Sequence, residues 1–199
     1  LGYAGIITLG HTAYFGIGAY AAGILAKFGT ADPFVGLAVA AIAAGIFGLI
    51  TGAVILRTHG LTLLMLTLAI TSICYEVANK ATDWTGGADG LSGITMNPIF
   101  GQFRFDMFGR TAYIYSFVFL LVGWWIVRRI IYSPFGATLA GIRENPVRMH
   151  AVGAPVYRRM VVVYTISAMI AGVAGALLTH TTQFVGLKVL GFELSGDLL

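Results

Sequence analysis

Charge is what this sequence has least of. Only 10% of its 199 residues are Asp, Glu, Lys or Arg, against 58% hydrophobic, and the mean hydropathy is +0.87. A soluble domain carries roughly 25% charged residues, so this chain cannot solvate a globular surface. It also lacks the apolar–polar alternation of a transmembrane β-barrel. Cysteine is nearly missing: the single Cys74 excludes an internal disulfide and a cysteine-based metal site. There is no G-x-x-x-x-G-K-[ST] phosphate loop, no H-E-x-x-H pair and no Cys-His or paired-carboxylate constellation. These absences argue against an ATPase or a membrane-embedded enzyme. His11 has no second ligand at metal spacing, so no metal site is expected. No signal-peptide pattern stands at Leu1 and no clear stop at Leu199, and the chain is expected to be part of a longer membrane protein.

What is present is a set of continuous apolar runs, each about 20 residues long, which suits helices crossing a hydrocarbon core of roughly 30 Å. The expected class is an all-α integral membrane protein, a polytopic helical bundle forming one domain over residues 1–199. Spans are expected near residues 1–28, 34–56, 61–78, 111–127 and 160–182. Lys and Arg near span ends set the orientation. With residues 133–159 in the cytoplasm, the inside loops and span ends hold Arg57, Arg128, Arg129, Arg143, Arg148, Arg158 and Arg159 against Glu144 alone. The outside segments hold five Lys or Arg against seven acids. The net charge of +4 is thus a topology signal. It does not indicate nucleic-acid binding, and membrane lipid is the expected surrounding.

Small residues mark the helices. Gly36, Ala40, Ala44, Gly48 and Gly52 recur at a spacing of four in the second span, as do Ala168, Gly172 and Ala176 in the fifth. Such stripes let helix backbones approach closely in lipid. The first span is interrupted by Gly2, Gly5, Gly10, Gly16, Gly18 and Gly23, and Thr8, His11 and Thr12 put polar groups inside it. Irregular backbone at membrane depth is tolerated only where protein or a water-filled cavity covers it, and broken helices bind substrates in several transporter folds. Thr8, Gly10, His11 and Thr12, with Thr67, Thr71 and Ser72 of the third span, are therefore candidates for a substrate path. The bland alternative is a kinked, packed helix. Glu76 is an acid close to a span interior, but Lys80 follows at i+4 in the favourable order, so a surface ion pair is expected.

Residues 133–159 predict two short helices with a corner between them: one over 137–143, a second from Pro146 to Val152, with Asn145 as N-cap and Gly153 as stop. Arg143, Glu144, Arg148 and His150 are expected to be exposed. Leu139, Ile142, Val147 and Met149 offer an apolar face, for lipid or for a soluble partner's docking.

Four segments, "LGYAGIITLGHTAYFGIGAYAAGIL", "RTHGLTLLMLTLAI", "WTGGADGLSGI" and "SPFGATLAGIRENPVRMHAVG", together resemble the LivM-type permease of bacterial branched-chain amino acid ABC importers, over essentially the whole chain. The resemblance implies about ten membrane helices in a full permease, of which this chain is the central part, in the bacterial inner membrane. It implies a second, homologous LivH-type permease subunit, two cytoplasmic ATPase subunits and a periplasmic substrate-binding protein. This chain then binds no cofactor, and ATP and Mg belong to the ATPase partners. It places ATPase coupling at Gly141, Arg143, Glu144, Asn145, Arg148 and Gly153. It places Gly86, Gly87, Asp89, Gly90 and Gly93 in a periplasmic loop, where glycines permit tight turns with φ > 0 and free amides shape an outer gate or meet the binding protein. The sequence departs from the family pattern at Ser72, Tyr75 and Pro146. That leaves the substrate open among branched-chain amino acids, urea, short amides and aromatic acids. An ion-coupled secondary transporter is the competing class. It requires buried ionisable groups in the spans, for which His11 and Glu76 are the candidates weighed.

Overall fold

Prolines open three of the helices, and the residue before each sets the entry. Asp32 precedes Pro33, Ser133 precedes Pro134 and Asn145 precedes Pro146. Proline suits a first helical turn because its missing N–H is unpaired there in any case. The structure is a computed structural model describing residues 2–6, 8, 10–97 and 110–191. The long helices are α1 (His11–Phe28), α2 (Pro33–Ile55), α3 (Leu61–Lys80), α5 (Arg110–Ile131) and α8 (Val156–Thr182). The short ones are α4 (Thr82–Thr85), α6 (Pro134–Glu144) and α7 (Pro146–Ala151). Single 3-10 turns lie at Gly2–Ala4, Gly87–Asp89 and Leu187–Leu190. Among the described residues the only β pairing is the isolated bridge between Leu91 and Val185. The protein is an all-α, multi-pass membrane protein.

The two small-residue stripes pack against each other. A Cβ built on Gly36 would lie 2.9 Å from His180 Nε2, one on Gly48 2.4 Å from the Cβ of Ala168, and one on Gly52 2.8 Å from the Tyr164 ring. A Cβ on Gly172 would lie 2.4 Å from that of Ala44. Each step of four up α2 is matched by a step of four down α8, the signature of two antiparallel helices in continuous register. α1 fills the groove beside them, its backbone against that of α8: a Cβ on Gly18 would lie 2.2 Å from the carbonyl oxygen of Gly172. Of the glycines expected to interrupt the first span, Gly16, Gly18 and Gly23 do not break the helix. They are points of close approach to Leu190, to Gly172 and to Leu91 with Ile94 and Val185. The helix itself starts at His11, so the expected span over residues 1–28 is helical only in its later part.

α2, α3, α5 and α8 are long and apolar enough to cross a membrane. α1 has 18 residues but is not among the helices apolar enough for this. It tolerates this because α2 and α8 cover it in place of lipid. The outward faces of the other helices are apolar. Ile42, Ile46, Leu49 and Ile50 of α2, and Phe117, Leu120 and Leu121 of α5, are exposed, a surface that suits hydrocarbon and not water.

The connections sort to two ends. At one end Asn97 donates from its backbone to Ala31 O and from Nδ2 to Asp32 Oδ1, and Leu91 and Val185 exchange backbone bonds of 2.8 and 3.1 Å. At the other, Tyr157 donates to Ala53 O and the Gly2–Ala4 turn lies beside α6. This grouping matches the loop sets that the arginine asymmetry separates. The charges Arg104, Asp106, Glu193 and Asp197 of that count lie outside the described residues.

Candidate functional site

The first span enters irregularly. Gly5 takes φ +71°, and Gly10 precedes α1 without a side-chain cap. The irregular stretch places Thr8 Oγ1 2.7 Å from His11 Nδ1, while His11 Nε2 stands 3.3 Å from Ser167 Oγ on α8. One turn on, Thr51 Oγ1 donates to Phe47 O at 2.7 Å. Its proton being used, Thr51 accepts from Tyr14 OH at 2.8 Å, and Tyr14 in turn accepts from Tyr164 OH at 2.8 Å. The result is a directed chain across α8, α1 and α2, with Tyr14 and Tyr164 each 1% exposed. Interhelical bonds of this kind contribute about 0.6–2 kcal/mol each in a membrane. His11 thus belongs to the α1–α8 interface, with Thr8 bonded to it and Thr12 fully buried. Gly10 makes the connection to α3, since a Cβ there would lie 3.0 Å from both Cβ and the carbonyl oxygen of Thr67.

Thr71 and Ser72 sit elsewhere. With Leu68, Tyr75 and Glu76 of α3, and with Leu190 and Gly191, they line an open cavity of about 720 Å³. Thr71 is buried and bonds back to Thr67 O at 3.0 Å. Glu76 meets Lys80 at 3.4 Å, and both side chains remain over half exposed. The expected ion pair is present, and its carboxylate is at the same time a wall of the cavity. Leu68 and Leu190 give the cavity an apolar side, while Ser72, Tyr75 and Glu76 give it a polar one. The seven candidate path residues therefore divide: His11 against α8 with Thr8 bonded to it, Thr12 buried beside them in sequence, Gly10 with Thr67 at the junction, and Thr71 with Ser72 at the cavity. Tyr14, Tyr164, Ser167 and Leu190 were not among them. The tyrosine hydroxyls in apolar runs are a signal that sequence reasoning can use. Leu190, in an irregular segment, carries none.

The corner between α6 and α7 forms as its sequence signals require, with α6 longer than expected, from Pro134 to Glu144. Ser133 Oγ accepts from Gly136 N, and Asn145 Oδ1 accepts from Arg148 N at 3.0 Å. Gly153, at φ +85°, follows the end of α7. Gly141 leaves room for Met149, whose Sδ would stand 2.8 Å from a Cβ there. Leu139 and Ile142 are buried in a core with Ile55, Leu56, Leu63 and Val156. The apolar face expected for lipid or a partner is therefore turned largely into the protein's own bundle, and Val147, 77% exposed, points away from it. Arg143, Glu144, Asn145, Arg148 and His150 are exposed. Glu144 projects at the turn itself, at the C-terminus of α6.

At the other end, Gly86, Gly87, Gly90 and Gly93 all have positive φ. Gly86 is irreplaceable on two counts: it is left-handed at φ +76°, and a Cβ would lie 2.1 Å from Gly90 O. The amides expected to be free are engaged. Gly86 N donates to Thr82 O, Gly87 N to Thr85 Oγ1, Gly90 N to Gly87 O and Leu91 N to Val185 O. The loop is a folded cap, with Leu91 and Ile94 buried against Val185, Leu187 and Leu190, while Asp83 and Asp89 are exposed. Among the described residues no group of three His, Cys, Asp or Glu is placed to hold a metal.

The family described as branched-chain amino acid transport system, permease component, matches residues 1–197. The high-affinity branched-chain amino acid transport system permease protein LivM of Escherichia coli K12 is 26% identical over 220 residues, which cover all of this chain and 52% of the relative. Its counterpart from Salmonella typhimurium LT2 is 28% identical over 225 residues, with the same shares. A probable branched-chain amino acid transport permease protein LivM of Methanocaldococcus jannaschii is 28% identical over 183 residues, 82% of this chain and 51% of the relative. The chain thus spans about half the length of the curated relatives it matches. No solved structure matches it. With the match extending over nearly every residue, through the broken first span, the cavity helix and the α6–α7 corner, the chain belongs to the family of permease components of branched-chain amino acid transport systems.

Proposed function

We propose that this chain is the central part of the membrane-spanning subunit of an ATP-binding cassette importer in a bacterial inner membrane. It carries branched-chain amino acids or a related small polar solute. The observation that carries the proposal is the α6–α7 corner: Leu139 and Ile142 anchor it in the bundle, and Glu144 with its charged neighbours faces outward. A corner built this way transmits force, because it cannot be moved without moving the helices beneath it. The partners are two ATPase subunits, which hold ATP and Mg, a second LivH-type permease subunit and a periplasmic binding protein. An ion-coupled mechanism finds less support. His11 is held between two hydroxyls, and Glu76 is paired with Lys80 at the surface.

The solute route runs along the α3 cavity. An amino acid leaving water needs partners for both charged groups and a dry surface for its side chain. Glu76 is suited to the ammonium group, Ser72 and Tyr75 to the carboxylate, and Leu68 and Leu190 to the aliphatic side chain. Ser72 is exposed, so Ser72→Leu fills the cavity without disturbing the core. In proteoliposomes containing the whole transporter, Ser72→Leu is expected to cut uptake at least tenfold while the complex still assembles. Glu76→Gln is expected to raise the half-saturating concentration of loaded binding protein severalfold. Wild-type uptake by both variants would move the route elsewhere.

The orientation has its own test. In a Cys74→Ser background, single cysteines at the exposed Ala88 and Ala137 are expected to react with impermeant maleimide from opposite faces, Ala88 from the periplasm. Labelling of both from one face would refute the topology.

A further inference from the structure

We propose that the arginine-bearing end of α5 is a binding site for the headgroup of an anionic phospholipid. α5 finishes in two adjacent ridges at i, i+4 spacing. On one, the Arg128 guanidinium lies 5.2 Å from the ring centroid of Trp124 and 5.8 Å from that of Tyr132. On the other, Arg129 lies 5.8 Å from the centroid of Trp125. All five side chains are exposed: Trp124 56%, Trp125 58%, Tyr132 80%, with both arginines in the same class. Among the described residues no carboxylate stands within ion-pair distance of either arginine.

A guanidinium held near an aromatic ring by its charge keeps N–H donors for an anion, in the fork that matches phosphate oxygens. Indole rings settle at headgroup level, where one side is apolar and the other wet. The flank above the arginines is a rod of exposed Phe117, Leu120 and Leu121. An apolar crevice of about 110 Å³ lies between α5, α6 and α8 at the same end. Acyl chains require such a surface leading away from the phosphate. An acidic protein segment would need donors without the apolar rod, and a soluble phosphate would need an enclosed pocket. The bare alternative is that the arginines serve orientation and the C-terminal helix dipole alone, which predicts no choice among lipids.

The test uses the full-length protein, titrated with phosphatidylglycerol or phosphatidylcholine and assayed by native mass spectrometry for retained lipid. A basic residue near an anionic surface favours binding roughly fivefold. With two such arginines, phosphatidylglycerol is therefore expected to be retained roughly 25-fold better than phosphatidylcholine. Arg128→Gln with Arg129→Gln is expected to abolish that preference, and Lys27→Gln with Lys80→Gln to keep it. Removing two positive charges risks altering insertion. Arg128→Lys with Arg129→Lys keeps the charge, loses the planar fork, and is expected to lose about threefold of the preference. Equal retention of the two lipids by the wild type overturns the proposal. So does an undiminished preference in both arginine variants, displacement of the lipid by millimolar inorganic phosphate, or an acidic protein occupying these residues in the purified complex.

Discussion

Gly175→Leu should eliminate folded protein, while Gly123→Leu should leave its yield unchanged. A Cβ at Gly175 would stand 2.0 Å from the carbonyl oxygen of Phe15 and 2.9 Å from the amide nitrogen of Ala19. Both are backbone atoms of α1, and backbone cannot rotate aside as a side chain does. Accommodating even a methyl group requires α1 to move off α8 by more than 1 Å along the crossing, an estimate from ordinary carbon contact distances of about 3.5–4 Å. That shift also breaks the buried bond from Thr179 Oγ1 to Ala19 O, 3.0 Å long. Overpacking typically costs about 1–3 kcal/mol, and this case belongs at or above the top of the range because nothing nearby is soft. Gly48→Leu is expected to be intermediate, since it meets the Cβ of Ala168 at 2.4 Å and not backbone. Gly123 on α5 has nothing within 4 Å. Fluorescence-detected size exclusion in mild detergent ranks the three, and equal profiles for Gly175→Leu and Gly123→Leu would disprove backbone-to-backbone packing.

Glu144→Arg should uncouple transport without unfolding the protein. The side chain is exposed and projects at the turn between α6 and α7, where its backbone neighbour Asn145 is fixed by its own cap bond. If the corner seats in an ATPase groove, reversing this charge breaks a partly desolvated contact, and losing such a hydrogen-bonded charge costs roughly 2–5 kcal/mol. The expected outcome in reconstituted complexes is normal insertion, with little or no rise in ATP hydrolysis when solute-loaded binding protein is added. Full stimulation and intact assembly would remove Glu144 from coupling.

The parts of this architecture legible in the sequence are those set within one helical turn. Asn145-Pro146 and Gly153 announce the corner because caps and stops act over three or four residues, whereas the start of α6 at Ser133-Pro134 lies a turn earlier than the expected 137–143. The stripes at spacing four are equally plain. Which stripe meets which was not readable, because register is decided between helices over 100 residues apart. The tyrosine chain is hidden for the same reason: Tyr14 and Tyr164 are separated by 150 residues. The four loop glycines announced their left-handed turns, but the closure of Leu91 on Val185 depends on a segment with no periodic pattern. Thr71 and Ser72, read as path residues, line one cavity. Thr8, His11 and Thr12 were grouped with them because polar atoms in apolar runs look alike whether they face a cavity or another helix.

The broken segment before α1 has a mechanical consequence. At one end Gly5 lies against the Arg143 side chain of the corner, 3.0 Å from a would-be Cβ to Cγ, and at the other Gly10 lies against Thr67 of α3. Backbone-tight crossings make α1, α2 and α8 a stiff block, whereas α3 leans on it through Gly10 and through Leu187–Leu190. Close-packed interfaces switch between arrangements more readily than they stretch. Widening the cavity therefore amounts to tilting one helix against a fixed wall. A tilt of α3 at Gly10 and a shift of the corner at Gly5 therefore bear on the same entry into α1.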